Sequence, residues 1–243
     1  MKLTTPLSNG LFFFVDYQKY AKKSHLVFMQ QFPIIKNQLF RDLHELESAE
    51  FRWDLPLVKI SMGDFHGSVE SVEYEDVQLI SARFSGTLLQ SGKNPEAYTT
   101  FAIPAADTSS FWWHYRMVGR NMLLVFPEDR KLKAISYNGF HVYTLSIENE
   151  FLECLIDRFG FTGLGQKLHG KEKVIPITKR YILSLNSHLQ AIFLKVQVGQ
   201  AGKSLPKRAE HSIKYKLTEQ ILKIIHQSEE SSYLPIGRSR DRK

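Results

Sequence analysis

Val77-Gln-Leu-Ile-Ser-Ala-Arg-Phe84, then Ser85-Gly86, then Thr87-Leu-Leu-Gln90: an apolar run of strand length, a two-residue turn signal and a second run. The same texture extends outward in both directions. Upstream, Leu55–Met62 ends at Gly63-Asp64 and Phe65–Tyr74 ends at Glu75-Asp76. Downstream come Tyr98–Ile103 before Pro104, Phe111–Val118 before Gly119, and Met122–Phe126 before Pro127. Leu132–Ser136 before Asn138-Gly139 and Phe140–Ile147 complete the series. Short runs at this spacing, punctuated by turn residues, are the pattern of an antiparallel sandwich or barrel. Asn138-Gly139 between two runs predicts a two-residue hairpin. No helical pattern long enough for a crossover intervenes, which argues against a parallel doubly wound sheet.

Beyond Ile147 the hydrophobic period changes from two to about 3.6. Glu148–Phe159 predicts a helix stopped by Gly160, and Gly160–Lys173 a loop. Thr178 is placed to cap a long helix running to about Val198. Its apolar positions Ile182, Leu185, Leu189, Ile192, Phe193 and Val196 form one stripe. Gly199–Pro206 breaks the chain. A second helix, about 207–228, carries Ile213, Leu217, Ile221, Ile224 and Ile225, with Leu222 on a flank. Two amphipathic helices with a short connection predict an antiparallel hairpin. One stripe is expected to cover the sheet structure and the other to meet a second chain. Before Leu55 the pattern is mixed. Asp16–Phe28 and Asn37–Glu50 are helical candidates, the latter through Leu39, Phe40, Leu43 and Leu46.

The 243 residues are 43% apolar and 23% charged, a balance that supports a sizeable core and excludes wholesale disorder. A lone cysteine, Cys154, rules out an internal disulfide and a cysteine-rich zinc site, and reads as a small buried apolar residue. No apolar stretch approaches a membrane span, and Leu11-Phe12-Phe13-Phe14-Val15 is too short for a secretion signal. The expectation is a soluble, cytoplasmic protein with no membrane contact. Of the net charge of +7, a net +5 lies between Gly202 and Lys243, from 10 basic and 5 acidic residues, so the body is nearly neutral and the tail basic.

Motifs for chemistry are sparse. Nine histidines include no His-x-His pair of the kind that small barrels use for metal. The acidic group Glu70, Glu73, Glu75 and Asp76 lies at a strand end, where a solvated surface is the plain reading. Gly160-Phe-Thr-Gly-Leu-Gly165 has the wrong order for a dinucleotide fingerprint, and Gly170-Lys171-Glu172 lacks the hydroxyl residue of a P-loop. No Gly-x-Ser-x-Gly elbow exists. We therefore assign no catalytic residue, no metal ligand and no cofactor.

The most distinctive stretch is Phe111-Trp-Trp-His-Tyr-Arg-Met-Val118. Read as one strand, it places Phe111, Trp113, Tyr115 and Met117 on one face, and Trp112, His114, Arg116 and Val118 on the other. An aromatic wall with a few polar groups suits a small-molecule pocket. Trp113, His114 and Tyr115, with Arg83 and Tyr98 on neighbouring strands, are the ligand-binding candidates.

Val77–Leu89, Thr99-Thr-Phe-Ala-Ile-Pro104, the tryptophan-rich stretch and Leu123–Pro127 together resemble the N-terminal regulatory half of AraC-type bacterial transcription regulators, in the branch that includes ethanolamine-operon-like regulators. The resemblance covers roughly residues 55–243 and implies an α+β fold: a cupin-like antiparallel β-barrel or jelly roll followed by a helical hairpin. It implies effector sensing by the barrel and homodimer formation by the helices. In that family a module with two helix-turn-helix units follows and binds DNA. That module is not present in this chain, whose end, Leu234 to Lys243, resembles the basic linker leading into it. The expected parts are an N-terminal arm over 1–54, a barrel over 55–147, a helical dimerisation region over 148–230 and a basic linker over 231–243. The stripe from Ile182 to Val196 is the expected dimer interface. The alternative is a cupin-like enzyme whose metal ligands come from separate strands.

Overall fold

Met122-Leu-Leu-Val-Phe126 and Lys131-Leu-Lys-Ala-Ile-Ser136 are both strands, but of different kinds. The first is apolar along its length, whereas the second alternates with lysine. That contrast separates the two sheets of the structure, a computed structural model that describes residues 33–47, 49, 56–128, 131–168, 172–201 and 207–232. The expected helix over Asp16–Phe28 and the run at Leu11–Val15 lie outside the described residues.

A seven-stranded sheet has the spatial order Ile34–Phe40 (β1), Gly67–Glu73 (β3), Val77–Phe84 (β4), Phe140–Glu148 (β11), Tyr98–Pro104 (β6), Met122–Phe126 (β9) and Lys173–Pro176 (β12). A five-stranded sheet has the order Leu57–Lys59 (β2), Leu88–Lys93 (β5), Lys131–Ser136 (β10), Phe111–Trp113 (β7) and Arg116–Val118 (β8). All pairings are antiparallel. The large sheet is covered on both faces, so its central strands are apolar without alternation. The small sheet has one face in water and keeps the alternation of a half-buried strand.

Two cores follow. Phe40, Val69, Ile80, Phe84, Leu88, Trp113, Leu124 and Leu132 pack between the sheets. Val72, Leu79, Phe101, Ile103, Leu145 and Ile147, from the opposite face of the large sheet, pack with the helices. These are Asn149–Phe159 (α2), Leu164–Leu168 (α3), Lys179–Ala201 (α4), and a continuous run of Lys207–His211 (α5), a π-helical segment Ser212–Leu217 and Thr218–Ser232 (α6). Gly160 ends α2 in the left-handed conformation at φ 75°, and its N–H reaches back to Asp157 O. This is the glycine C-cap that the sequence signalled. The α4–α6 hairpin is antiparallel: His188 Nδ1 meets Gln220 Oε1 at 3.2 Å, its Nε2 meets Ser212 Oγ at 2.8 Å, and Gln220 Nε2 donates to Ser184. Lys214, in the π segment, reaches Asp76 Oδ1 at 2.6 Å and lies over the Tyr74 ring, which pins the hairpin to the β3–β4 corner.

Several expectations are corrected. The arm does not extend to residue 54, because Ile34–Phe40 pairs along its whole length with β3. The predicted helix over Asn37–Glu50 is only Leu43–Glu47 (α1), started by Asp42, whose carboxylate accepts from Glu45 N at 2.8 Å. Asn138-Gly139 makes a tight turn, with Phe140 N donating to Tyr137 O, but it passes the chain from one sheet to the other instead of joining a hairpin. The polypeptide 148–230 is not wholly helical, since β12 closes an edge of the large sheet, and the expected loop over Gly160–Lys173 holds the short helix α3. Helix α4 runs through Gly199 to Ala201. Where a β-barrel or jelly roll was expected, the described residues form two antiparallel sheets and no closed barrel, and the observed class is α+β.

Candidate functional site

Strand β4 shows how one segment serves two sites. Ile80, Ala82 and Phe84 face the space between the sheets, whereas Ser81 and Arg83 face the helices, as strand alternation requires. On β11, Phe140, Val142 and Thr144 take the first side and Tyr143 the second.

Between the sheets lies a cavity of about 380 Å³. It exists because small side chains occupy inward positions: Ala82 opposite Val142, Ala102 opposite Thr144, and Ala134 between Gln90 and Trp113. Its walls are aromatic. Phe84 and Phe140 stack at 6.1 Å, Phe111 meets Phe140 edge-on at 5.1 Å, and Trp113 meets Phe126 edge-on at 4.1 Å. Gly67 permits this wall, because a Cβ there would stand 3.0 Å from the Phe65 ring and 3.2 Å from Phe84. Leu46, Glu47 and Ala49, with Pro56 and Leu57, line another part of it. Gln90, buried and donating to Ser136 Oγ at 2.8 Å, and Thr144 are the polar groups set into this apolar surface.

A second concavity, about 350 Å³, lies on the helix side and is lined by Glu70, Ser81, Arg83, Tyr143 and Gln190 among others. Behind it, buried His141 contacts Asp107 Oδ1 through Nδ1 at 2.6 Å and Ser81 Oγ through Nε2 at 3.2 Å. Arg83 donates to the other oxygen of Asp107 at 2.8 Å. Ser81, His141 and Asp107 thus have the connectivity of a nucleophile, base and orienter. Ser81 sits in mid-strand, paired with Glu70 on one side and Tyr143 on the other, so its backbone is committed to the sheet. The network satisfies a buried imidazole.

Burial holds His141 below its ordinary value, against the pull of Asp107. For Asp107, burial pushes upward, but the His141 hydrogen bond and the Arg83 guanidinium outweigh it and leave the carboxyl below the usual range. The unfolded chain takes up a proton at His141 near the ordinary value of 6.5, while the folded chain does so only at lower pH. Stability therefore falls as pH drops below about 6.5, and further once Asp107 protonates below 3.8. Urea midpoints should decrease between pH 7.5 and pH 5.5, and the decrease should shrink in His141→Gln. An unchanged slope in that variant contradicts the assignment.

Of the residues expected to bind a ligand, Trp113 alone lines the inter-sheet cavity. Arg83 lies in the second concavity. Tyr98 donates to Glu75 O at 3.0 Å. His114 and Tyr115 occupy the tip of a β7–β8 hairpin, because the run Phe111–Val118 folds back on itself, pairing Phe111 with Val118. His114 adopts φ 51° there and lies 3.3 Å from Glu172 Oε2, while Tyr115 is 90% exposed. The expected dimer stripe is also corrected. Ile182, Leu185, Leu189, Ile192, Phe193 and Val196 are all at most 5% exposed and pack within the chain's own core, with Phe193 stacked on Tyr143. The helical face left to solvent carries Leu183 and Leu194, at 47% and 62% exposure.

Among the described residues, no three His, Cys, Asp or Glu side chains gather as a metal site, and no helix is long and apolar enough to cross a membrane. No family model matches the sequence, and neither does any curated protein. Parts of the chain overlay on KdgF from Halomonas sp. (TM-score 0.30, 12% identity, 38% of this chain and 87% of that one) and on Bacillus subtilis oxalate decarboxylase (TM-score 0.29, 13% identity, 44% and 35%). The fold is similar to that of the AraC-like transcriptional activator CuxR, with a TM-score of 0.50 and 12% identity over 78% of this chain and 70% of that one.

Proposed function

We propose that the chain is a cytoplasmic effector-sensing and dimerisation unit of an AraC-type transcription regulator, built on a cupin-like double sheet. The inter-sheet cavity carries this reading. It is an apolar, aromatic-walled space with a few polar groups, of the size that small ligands fill. The helical hairpin packs on the opposite face of the same sheet. A ligand that favours one packing of Ala82, Ala102 and Thr144 over another biases the strands that hold α4, and so biases how two chains meet. The fold likeness to an AraC-like activator supports the reading at the level of architecture. Contact with DNA belongs, in this proposal, to a helix-turn-helix module outside this chain.

The proposed two-fold contact uses the outer face of α4, through Leu183 and Leu194. Sedimentation velocity of the full chain at tens of micromolar should show a dimer. Leu183→Glu combined with Leu194→Glu should give a folded monomer with a cooperative thermal transition, since both side chains are about half exposed. A wild-type monomer at that concentration removes the dimer from the proposal, and a double variant that stays dimeric removes this face of α4 as its interface.

A further inference from the structure

We infer that the ligand of the inter-sheet cavity is a neutral, planar aromatic molecule of one or two rings bearing one or two hydrogen-bonding groups. The inference rests on the sensing role proposed above and specifies the chemistry of that site.

Three observations lead to it. First, no lysine, arginine or histidine lines the cavity among the described residues, and the only charged side chain there, Glu47, is exposed on α1. A carboxylate or phosphate drawn between the sheets would lose its hydration and find no cation among the described lining residues, and an uncompensated buried charge is among the most unfavourable placements a protein can make. Second, polar partners are few. Gln90 offers a carbonyl oxygen after donating to Ser136, and Thr144 a hydroxyl. A sugar carries more hydroxyls than these two residues and the Glu47 carboxylate at the exposed rim satisfy, and each one left over is penalised. A ligand with one or two such groups leaves none stranded. Third, the wall is made of ring faces and edges: Phe84, Phe111, Trp113, Phe126 and Phe140. Offset-stacked and edge-to-face contacts favour a flat π-system over an aliphatic chain of equal volume. The volume, about 380 Å³, is at the small end of the range for ligand pockets, roughly 300–1,000 Å³.

Isothermal titration of the full chain with 2-naphthol, 2-naphthoate and L-arabinose tests this directly. The two naphthyl probes share a ring system and differ in charge at neutral pH. 2-Naphthol should bind at least tenfold more tightly than 2-naphthoate, with no detectable heat from arabinose. Ala102→Phe, which places a ring inside the space, should weaken 2-naphthol at least tenfold, with circular dichroism showing the same fold. If that variant does not fold, Ala134→Leu replaces it, with the same expected loss. Naphthoate binding as tightly as naphthol, or arabinose binding in place of both, overturns the ligand class and leaves a small-molecule sensor standing. No binding of any probe, with Ala102→Phe raising the melting temperature, shows a packing void and overturns the sensing role as well.

Discussion

Leu189→Glu is expected to yield no stably folded protein. The residue is fully buried at the centre of the α4 stripe, within the core shared by the large sheet and the α6 run. A carboxylate there has no described partner to meet and nowhere to reach water, so the loss should exceed about 4 kcal/mol. A stripe that served only to join two chains would respond differently, with a folded, soluble monomer. Urea denaturation followed by circular dichroism separates the outcomes. A cooperative transition at the wild-type midpoint, accompanied by a halved mass in sedimentation, would return the stripe to the dimer interface and refute its place in the core.

Asn186→Ala should be the most disruptive truncation of a single polar side chain. Asn186 is almost wholly buried on α4, beside Leu185 and Leu189. Its Oδ1 accepts from Ala106 N at 2.9 Å, and its Nδ2 donates to Ile182 O at 3.0 Å and to Pro104 O at 3.3 Å. The side chain thus ties the helix to the end of β6 and the loop that carries Asp107. Truncation leaves the part-buried Ala106 N–H and the buried Pro104 carbonyl without this partner, for an expected loss of about 1–3 kcal/mol. Asn186→Asp keeps the acceptor for Ala106 but sets a carboxylate oxygen against the Pro104 and Ile182 carbonyls in a buried site, so it should cost at least as much as Asn186→Ala. If Asn186→Ala unfolds within a few tenths of a molar urea of wild type, the tie is unimportant.

How far the sequence revealed all this depended on what kind of signal each feature left. The runs Val77–Phe84 and Met122–Phe126 coincide with strands because turn residues flank them and apolar side chains fill them. Burial on both faces was also written there, as continuity where Lys131–Ser136 shows alternation. The β7–β8 hairpin was hidden because its tip is His114-Tyr115, with none of the glycine, asparagine or proline that usually marks a turn. Reading straight through it put Tyr115 with Phe111 and Trp113, when the fold opposes Phe111 to Val118. A similar limit applies to β1, whose Leu39 and Phe40 happened to continue the helical spacing of Leu43 and Leu46. The α4 stripe announced that it would be buried and could not say against what. The cavity was least visible, because it arises from side chains that are missing. Ala82, Ala102 and Ala134 look like ordinary strand alanines until register shows that all three face the same space.

The large sheet has no face to itself, and this governs how the chain reaches its native state. Its outer face becomes stable only when α4 and α6, far downstream of β3 and β4, have come back to cover it. Its edge is completed by β12, which is made after α2 and α3. Contacts between residues so far apart in sequence form late and slowly, since the intervening chain must be gathered before any of them repays its ordering. Until the hairpin docks, a nascent chain exposes a broad apolar sheet, the type of surface on which chaperones act and aggregates begin. Division at Ile147 would make that exposure permanent. The two-sheet body and the helical hairpin are therefore halves of one cooperative folding unit, with the shared sheet as the wall that each half requires.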